Sequence, residues 1–303
     1  MVIPPPVVFT VQPITDFDDP RLAPFRTLKK QFDHWNEGFF VAEGEKVVRR
    51  LLESPHEIVS VLLPPKWLPD YEPLLARRPE AISVFVAEKE VLENLTGFSM
   101  FQGLLGLARV PRPATVEDLL VLPRPHLFAA VDGLSNAENV GAVARNAAAL
   151  GVQAIILGET SAPAYLRRAV RSSMGTIFRL PYLGCRVRHE GRPAPGEGLT
   201  DTLRRLRDRG IRCVAAHPHT DRRTPWQADL TRDTCIVLGA EGDGIRPEVL
   251  AECDEVVAIP MAAGVDSLNV ASAAAVFFGE AQRQRGSGAA GGRTGAALVA
   301  PMA

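Results

Sequence analysis

Three short segments hold the residue types that could do chemistry in this chain. They read Asn139-Val140-Gly141-Ala142-Val143-Ala144-Arg145, then Gly239-Ala240-Glu241-Gly242-Asp243-Gly244, then Ile259-Pro260-Met261 running on to Ser267-Leu268-Asn269-Val270. Glycines beside a carboxylate, amides, a hydroxyl and a guanidinium suit a site that holds a flat ligand against backbone. Three glycines in six residues let backbone approach such a ligand closely and take positive φ. The spacing is G-x-x-G-x-G, not the G-x-G-x-x-G of a dinucleotide site, and no Gly-Lys-Ser/Thr of a phosphate loop is present. Each residue also has a plainer reading. The second segment could be a tight turn, Ser267 and Asn269 could be helix caps, and Arg145 could be a solvated or ion-paired side chain. Glu241 narrows the choice, because a carboxylate at a sheet edge must be solvated, paired or used.

The elements that would position these residues are legible around them. Each segment follows an apolar run (Leu127–Val131, Cys235–Leu238, Val256–Ile259) and leads into a helix. In an open parallel α/β sheet, ligands bind at the carboxyl ends of strands, so the three segments are expected to converge on one crevice. From His126 onward strands and helices alternate. Helix Gly141–Leu150 is closed by Gly151, strand Ala154–Leu157 and helix Tyr165–Ser173 follow, and helix Leu199–Arg209 is closed by Gly210. Strand Ile211–Ala216, a helix from Pro247 to about Cys253 and helix Leu268–Gln284 complete the pattern. It predicts parallel strands joined by crossovers.

Before His126 the chain reads as a smaller α/β domain. Val47, Val48, Leu51 and Leu52 form one helical stripe after Phe39-Phe40-Val41. Ile58–Leu63 and Ala81–Val86 read as strands, with Pro64-Pro65 and the stretch from Pro69 to Pro79 as punctuation between them. Pro111, Pro113, Pro123 and Pro125 mark a connector holding a short helix near Val116–Leu120.

The 303 residues suffice for about two domains. A net charge of −1 gives no global attraction to a polyanion but leaves local basic faces open. Cys213 and Cys235 lie in apolar runs and read as buried thiols, and Cys185 and Cys253 form no C-x-x-C with them. No apolar run approaches the ~18–20 residues of a bilayer span, and Met1 to Pro6 lacks a secretory pattern, so a cytoplasmic protein off the membrane is expected. His217-Pro218-His219 with Asp221 reads as a surface turn, and no metal is expected. The Gly191–Gly198 loop and the tail from Gly286 read as poorly ordered.

Together the three segments resemble the motifs of the SpoU/TrmH family of RNA 2′-O-ribose methyltransferases, in the SPOUT superfamily. The matching positions are Asn139, Gly141 and Arg145; Gly239, Glu241 and Gly244; and Pro260, Met261, Ser267, Leu268, Asn269 and Val270. Arg167 to Leu180, with Ser172, Gly175 and Phe178, is similar to the family's stretch between its first two motifs. Phe40 to Lys46 and Gln102 to Gly106 are similar to the family's ribosomal-protein-like domain, or are simply the start of a helix and of a strand.

The resemblance implies an α/β fold in which a C-terminal parallel-sheet SPOUT domain carries a trefoil knot and a smaller N-terminal α/β domain binds RNA. Domains are expected at 1–115 (RNA substrate binding), 116–125 (linker) and 126–285 (methyltransferase), with a disordered tail over 286–303. It implies S-adenosylmethionine as cofactor, contacted by Leu238, Gly239, Gly244, Ile259, Met261 and Leu268. Gly239→Val is expected to abolish cofactor binding and leave the fold intact. The resemblance also implies a homodimer with the site near its interface, and an RNA substrate, ribosomal in preference to transfer RNA.

Arg145 is the central catalytic residue by resemblance, although a guanidinium is a poor base. It is therefore expected to pair with an RNA phosphate, with Asn139, Glu241, Ser267 and Asn269 orienting it, the ribose and the cofactor. The alternatives are a transfer-RNA methyltransferase, a non-catalytic RNA-binding protein on the same fold, and an NAD-dependent dehydrogenase. The glycine spacing and the lack of an acid about 20 residues on argue against the last.

Overall fold

The computed structural model describes residues 9–16, 18–88, 92, 103–185, 197–218 and 223–286. They fall into two compact units, one drawn from Met1–Arg112 with Tyr165–Phe178, the other from Pro113–Ala164 with Arg179–Ala303. The first unit contains β1 (Phe9–Ile14), α1 (Ala23–Arg26), α2 (Gln31–Asn36), β2 (Phe39–Glu43), α3 (Glu45–Leu52), β3 (Ile58–Leu63), α4 (Leu68–Leu75), β4 (Ile82–Ala87) and β5 (Leu105–Arg109). Its sheet runs β1-β4-β3-β5-β2, with β1 and β3 parallel to β4, and β5 antiparallel to both its neighbours.

The α3 stripe Val47, Val48, Leu51 and Leu52 is buried, as its spacing requires. The proline-rich stretch expected to be punctuation holds helix α4 instead. Pro69 sits in its first turn, where the missing N–H costs nothing, and Pro73 lies inside it. β1 was not expected; its Pro13 is tolerated because the strand is an edge.

Tyr165–Phe178, which the sequence places with residues 126–285, packs in this first unit. Arg167 ion-pairs with buried Glu43 and donates to the Leu28 carbonyl at 3.1 Å. The Tyr165 hydroxyl meets His56 Nε2 at 2.8 Å, and Arg50 donates to the Met174 carbonyl. Burial, with Arg78 nearby, pulls the His56 pKa down to about 4. Glu43 at the end of β2 is thus an anchor for the 165–178 segment. Gln102, from the second family-like stretch here, lies outside the described residues.

The second unit holds β6 (Leu127–Asp132), β7 (Ala154–Leu157), β8 (Tyr182–Gly184), β9 (Arg212–Ala216), β10 (Thr234–Gly239) and β11 (Glu255–Val257). Its helices are α5 (Val116–Leu120), α6 (Ala137–Ala149), α8 (Leu199–Asp208), α9 (Pro247–Leu250) and α10 (Val270–Gly286); α7 is Arg167–Ser172 of the first unit. All six strands are parallel, in the order β11-β9-β10-β6-β7-β8. The apolar runs of β6 and β10 lie side by side at the centre, with Leu238 opposite Val131 and Gly239 opposite Asp132. That register brings the first two motif segments to the same end of the sheet.

Several boundaries differ from the sequence reading: the strand expected at Val256–Ile259 is Glu255–Val257, and the helix expected from Tyr165 starts at Arg167. α6 begins at Ala137, because the Asn136 side chain accepts the Glu138 N–H at 2.8 Å and caps it. The first motif is therefore helix, not loop. α10 starts at Val270, after Leu268, and α9 ends at Leu250, short of Cys253. Cys213 and Cys235 are buried in register on adjacent strands, and burial pushes the Cys185 thiol up to about 12. Gly286 ends α10; the rest of the tail, and residues 191–196 of the Pro/Gly loop, lie outside the described residues. No helix among the described residues is long and apolar enough to cross a membrane.

Candidate active site

β10 ends at Gly239, and the chain folds back on itself at once. Ala240 N–H donates to the Gly244 carbonyl at 2.9 Å and Gly244 N–H to the Ala240 carbonyl at 3.2 Å. Gly242 and Gly244 take φ of +95° and +71°, the left-handed region that favours glycine. A Cβ on Gly239 would lie 2.3 Å from the Gly244 carbonyl carbon and 2.5 Å from Ile245 N. The bare α-carbon of Gly239 thus makes room for its own loop. The expectation that Gly239→Val leaves the fold intact is overturned by that collision.

The foot of the loop is held from behind. Arg246 donates through its backbone N–H to Asp132 Oδ2 and through Nε to Oδ1, both at 2.8 Å, and reaches Glu159 Oε2 at 2.6 Å. Asp132 is 1% exposed. The sequence reading singled out none of these three residues. The available signal was a carboxylate ending a wholly apolar strand, which needs a partner once buried.

At the tip of the loop the three motifs meet. Glu241 Oε1 accepts from Asn139 Nδ2 at 2.7 Å and from Asn269 Nδ2 at 2.9 Å, and Asn269 Nδ2 also lies 3.3 Å from Asn139 Oδ1. Asn269 Oδ1 meanwhile accepts the Ala271 N–H at 2.9 Å. Asn269 is a helix cap and a motif link at once. α6 and α10 pack together behind this cluster, where Asn146 Nδ2 donates to the Ala271 carbonyl at 2.6 Å. The alanine-rich face of α10 buries Ala274 and Ala281 beside Phe277 and Phe278. Arg145 stands apart. It is exposed, has no hydrogen bond or ion pair with a described residue, and lies six residues beyond Asn139, about 9 Å along the helix.

Beside the cluster is a cavity of about 450 Å³. Leu238, Gly239, Gly244, Ile259, Met261 and Leu268 all line it, as do Glu241, Ser267 and Asn269; Arg145 does not. His217 and Pro218 line it too, where the sequence reading had a surface turn. They follow β9 at the same sheet end, the rule already applied to the other segments. His219 and Asp221 lie outside the described residues.

The lining fits a nucleoside sulfonium. Leu238, Ile259 and Leu268 offer apolar walls to a flat base. Ile259, Met261 and Leu268 make no hydrogen bond with a described residue, so their backbone groups are available to a ligand's polar edge. Among the described residues that line it, Glu241 and Asp266 carry carboxylates and none is Lys or Arg. Such a lining favours a cation and disfavours a pyrophosphate.

Known proteins are similar to this chain in sequence and in fold. The SpoU rRNA Methylase family matches residues 126–279. The chain is 32% identical over 281 residues to an uncharacterized tRNA/rRNA methyltransferase of Mycobacterium bovis, covering 90% of this chain and 92% of that protein. It is 30% identical over 251 residues to the 23S rRNA (guanosine-2′-O-)-methyltransferase RlmB of Pectobacterium atrosepticum, covering 80% and 97%. Its fold is similar to that of the SpoU methyltransferase AviRb from Streptomyces viridochromogenes in complex with AdoMet, with a TM-score of 0.73 and 25% identity over 89% of this chain and 99% of that one.

Proposed function

Because the chain belongs to the SpoU rRNA Methylase family and is an S-adenosylmethionine-dependent RNA methyltransferase, we propose that it methylates a ribose 2′-hydroxyl of ribosomal RNA. The observation that carries the proposal is Glu241, which ties Asn139 and Asn269 together beside a cavity with acidic but no Lys or Arg side chains among the described residues that line it. When bound, S-adenosylmethionine supplies an electrophilic methyl on a sulfonium. Leu238, Gly239, Gly244, Ile259, Met261 and Leu268, which line the cavity, would hold it.

The remaining work is alignment and proton loss at the hydroxyl. Asn139, Glu241, Ser267 and Asn269 orient ribose and cofactor. Arg145, exposed and without a protein partner among the described residues, pairs with an RNA phosphate and so fixes the ribose. The first unit, Met1–Arg112 with Tyr165–Phe178, binds the RNA, the second unit forms the knotted methyltransferase domain, and two copies pair with the site near their interface, in the cytoplasm.

The test is mapping of 2′-O-methyl sites by mass spectrometry on RNA from a strain lacking the protein, before and after incubation with enzyme and labelled cofactor. One new ribose methyl in ribosomal RNA is expected. Methylation of a base, or of transfer RNA alone, would overturn the proposal.

A further inference from the structure

The first unit carries a basic face that the motifs do not explain. Many arginines of this chain are matched by acids: Arg78 with Glu80, Arg109 with Glu57, and Arg204, Arg205 and Arg207 of α8 with Glu252, Glu117 and Asp254. Arg21, Arg26, Lys29 and Lys30 follow one another closely in the first unit, and the two arginines are likewise taken up by Asp19 and Asp18. Lys29 and Lys30 are not. Both are exposed and make no ion pair with a described residue.

The fold sets two more cations beside them. Arg168 N–H donates to Gln31 Oε1 at 3.3 Å and Arg167 Nε to the Leu28 carbonyl at 3.1 Å, so α7 lies along the turn that carries both lysines. Arg168 and Arg171, three residues apart, share one helical face, and both are exposed. Arg171 keeps a 3.4 Å approach to Glu43, whose other oxygen Arg167 already holds. Phe32, the residue after Gln31, is 41% exposed. Asp33 is the acid adjoining it, which leaves the face net positive.

We infer that Lys29, Lys30, Arg168 and Arg171 track the phosphates of the RNA substrate, with Phe32 as a stacking platform for a base. The inference rests on the reading of the protein as an RNA methyltransferase and names where its first unit meets RNA. With a net charge of −1, affinity for a polyanion has to come from a local patch of this kind. Cations spread along a turn and a helix match repeated phosphates, and an aromatic ring among them is the pattern of single-stranded RNA binding.

The test uses the full chain with Lys29→Gln, Lys30→Gln, Arg168→Gln and Arg171→Gln combined, because deleting residues 1–115 would strip the partners of Tyr165–Phe178. Binding is measured against protein-free 23S ribosomal RNA transcript and against total transfer RNA, from 50 to 300 mM salt. Each lost phosphate contact lowers the slope of log affinity against log salt by ~0.7–0.9. The slope on the preferred RNA is expected to fall by about 3, with S-adenosylmethionine affinity and melting temperature unchanged. Arg77→Gln, an exposed cation elsewhere in the unit, should leave the slope unchanged. Phe32→Ala should weaken binding about 5-fold or more at an unchanged slope, since stacking releases no counterions. An unchanged slope in the fourfold variant overturns the phosphate assignment, and unchanged affinity in Phe32→Ala overturns the stacking one. Failure of the parent protein to bind either RNA overturns the inference altogether. A parent that prefers transfer RNA, with the slope still falling in the variant, overturns only the ribosomal substrate.

Discussion

Replacing Gly239 with alanine should unsettle the fold before it affects chemistry. The added Cβ meets three backbone atoms of Gly244 and Ile245 at 2.3 to 2.6 Å. Restoring ordinary contact requires a shift of about 1 Å in backbone that has little freedom to give it. Ala240 and Gly244 are bonded in both directions, and the next residue but one, Arg246, is fastened to buried Asp132. Overpacking costs ~1–3 kcal/mol where side chains can yield; here the neighbours are backbone, which points to about 3 kcal/mol. In a protein of 303 residues that lowers the melting temperature by about 5 °C. Gly242→Ala is the control. Its Cβ would meet nothing within 4 Å, so only the +95° φ opposes it, at about 1–2 kcal/mol. Melting monitored by circular dichroism, with cofactor affinity by calorimetry, checks both. A drop below about 2 °C for Gly239→Ala, or a larger drop for Gly242→Ala, refutes the reasoning.

The other expectations are shorter. His56 is held near pH 4 in the fold against 6.5 when unfolded, so the unfolded chain binds more protons between those values, and about 3 kcal/mol of stability present above pH 6.5 is lost as pH falls to 4. Urea midpoints across that window should fall for the parent and stay flatter for His56→Gln. Asp132→Asn removes a buried charge from under Arg246, which keeps Glu159; we expect a loss of about 2 kcal/mol in urea denaturation, and less for Glu159→Gln, whose side chain is 21% exposed. Arg145→Ala should abolish methyl transfer and leave cofactor affinity within about 3-fold, and Arg145→Lys should also be poor because a point charge cannot reproduce a planar fork. Retained turnover in the lysine variant would remove guanidinium geometry from the account.

The sequence was most readable where one physical requirement dominated. The apolar run Leu127–Val131 can only be a buried strand flanked by turn signals, and Gly151 and Gly210 close their helices with φ of +81° each. Strand-end logic brought the motif segments to one sheet end, where Leu238, Ile259 and Leu268, assigned by resemblance, line one cavity, and the same logic applied to β9 finds His217. What was hidden depended on long-range pairing. Asp132 and Arg246 are 114 residues apart, and Glu43 and Arg167 are 124 apart. No local pattern marks such pairs. Proline misled in both directions, concealing α4 through Pro69 and Pro73 and β1 through Pro13, because Pro is tolerated in a first helical turn and on a sheet edge. The start of α6 was missed because Asn139-Val140-Gly141 reads as a loop unless Asn136 is taken as the cap.

The central claim is that the second and third motif segments hold S-adenosylmethionine in the cavity between them. Calorimetric titration of S-adenosylmethionine into the parent protein and into Leu268→Asn tests it most directly. Leu268 lines the cavity yet is 40% exposed, so the substitution leaves the core untouched. The account predicts saturable binding by the parent, about 10-fold weaker binding by a folded Leu268→Asn, which removes an apolar wall without adding charge, and no binding of NAD. Equal affinity in the two proteins, or NAD binding that competes with S-adenosylmethionine, would contradict it.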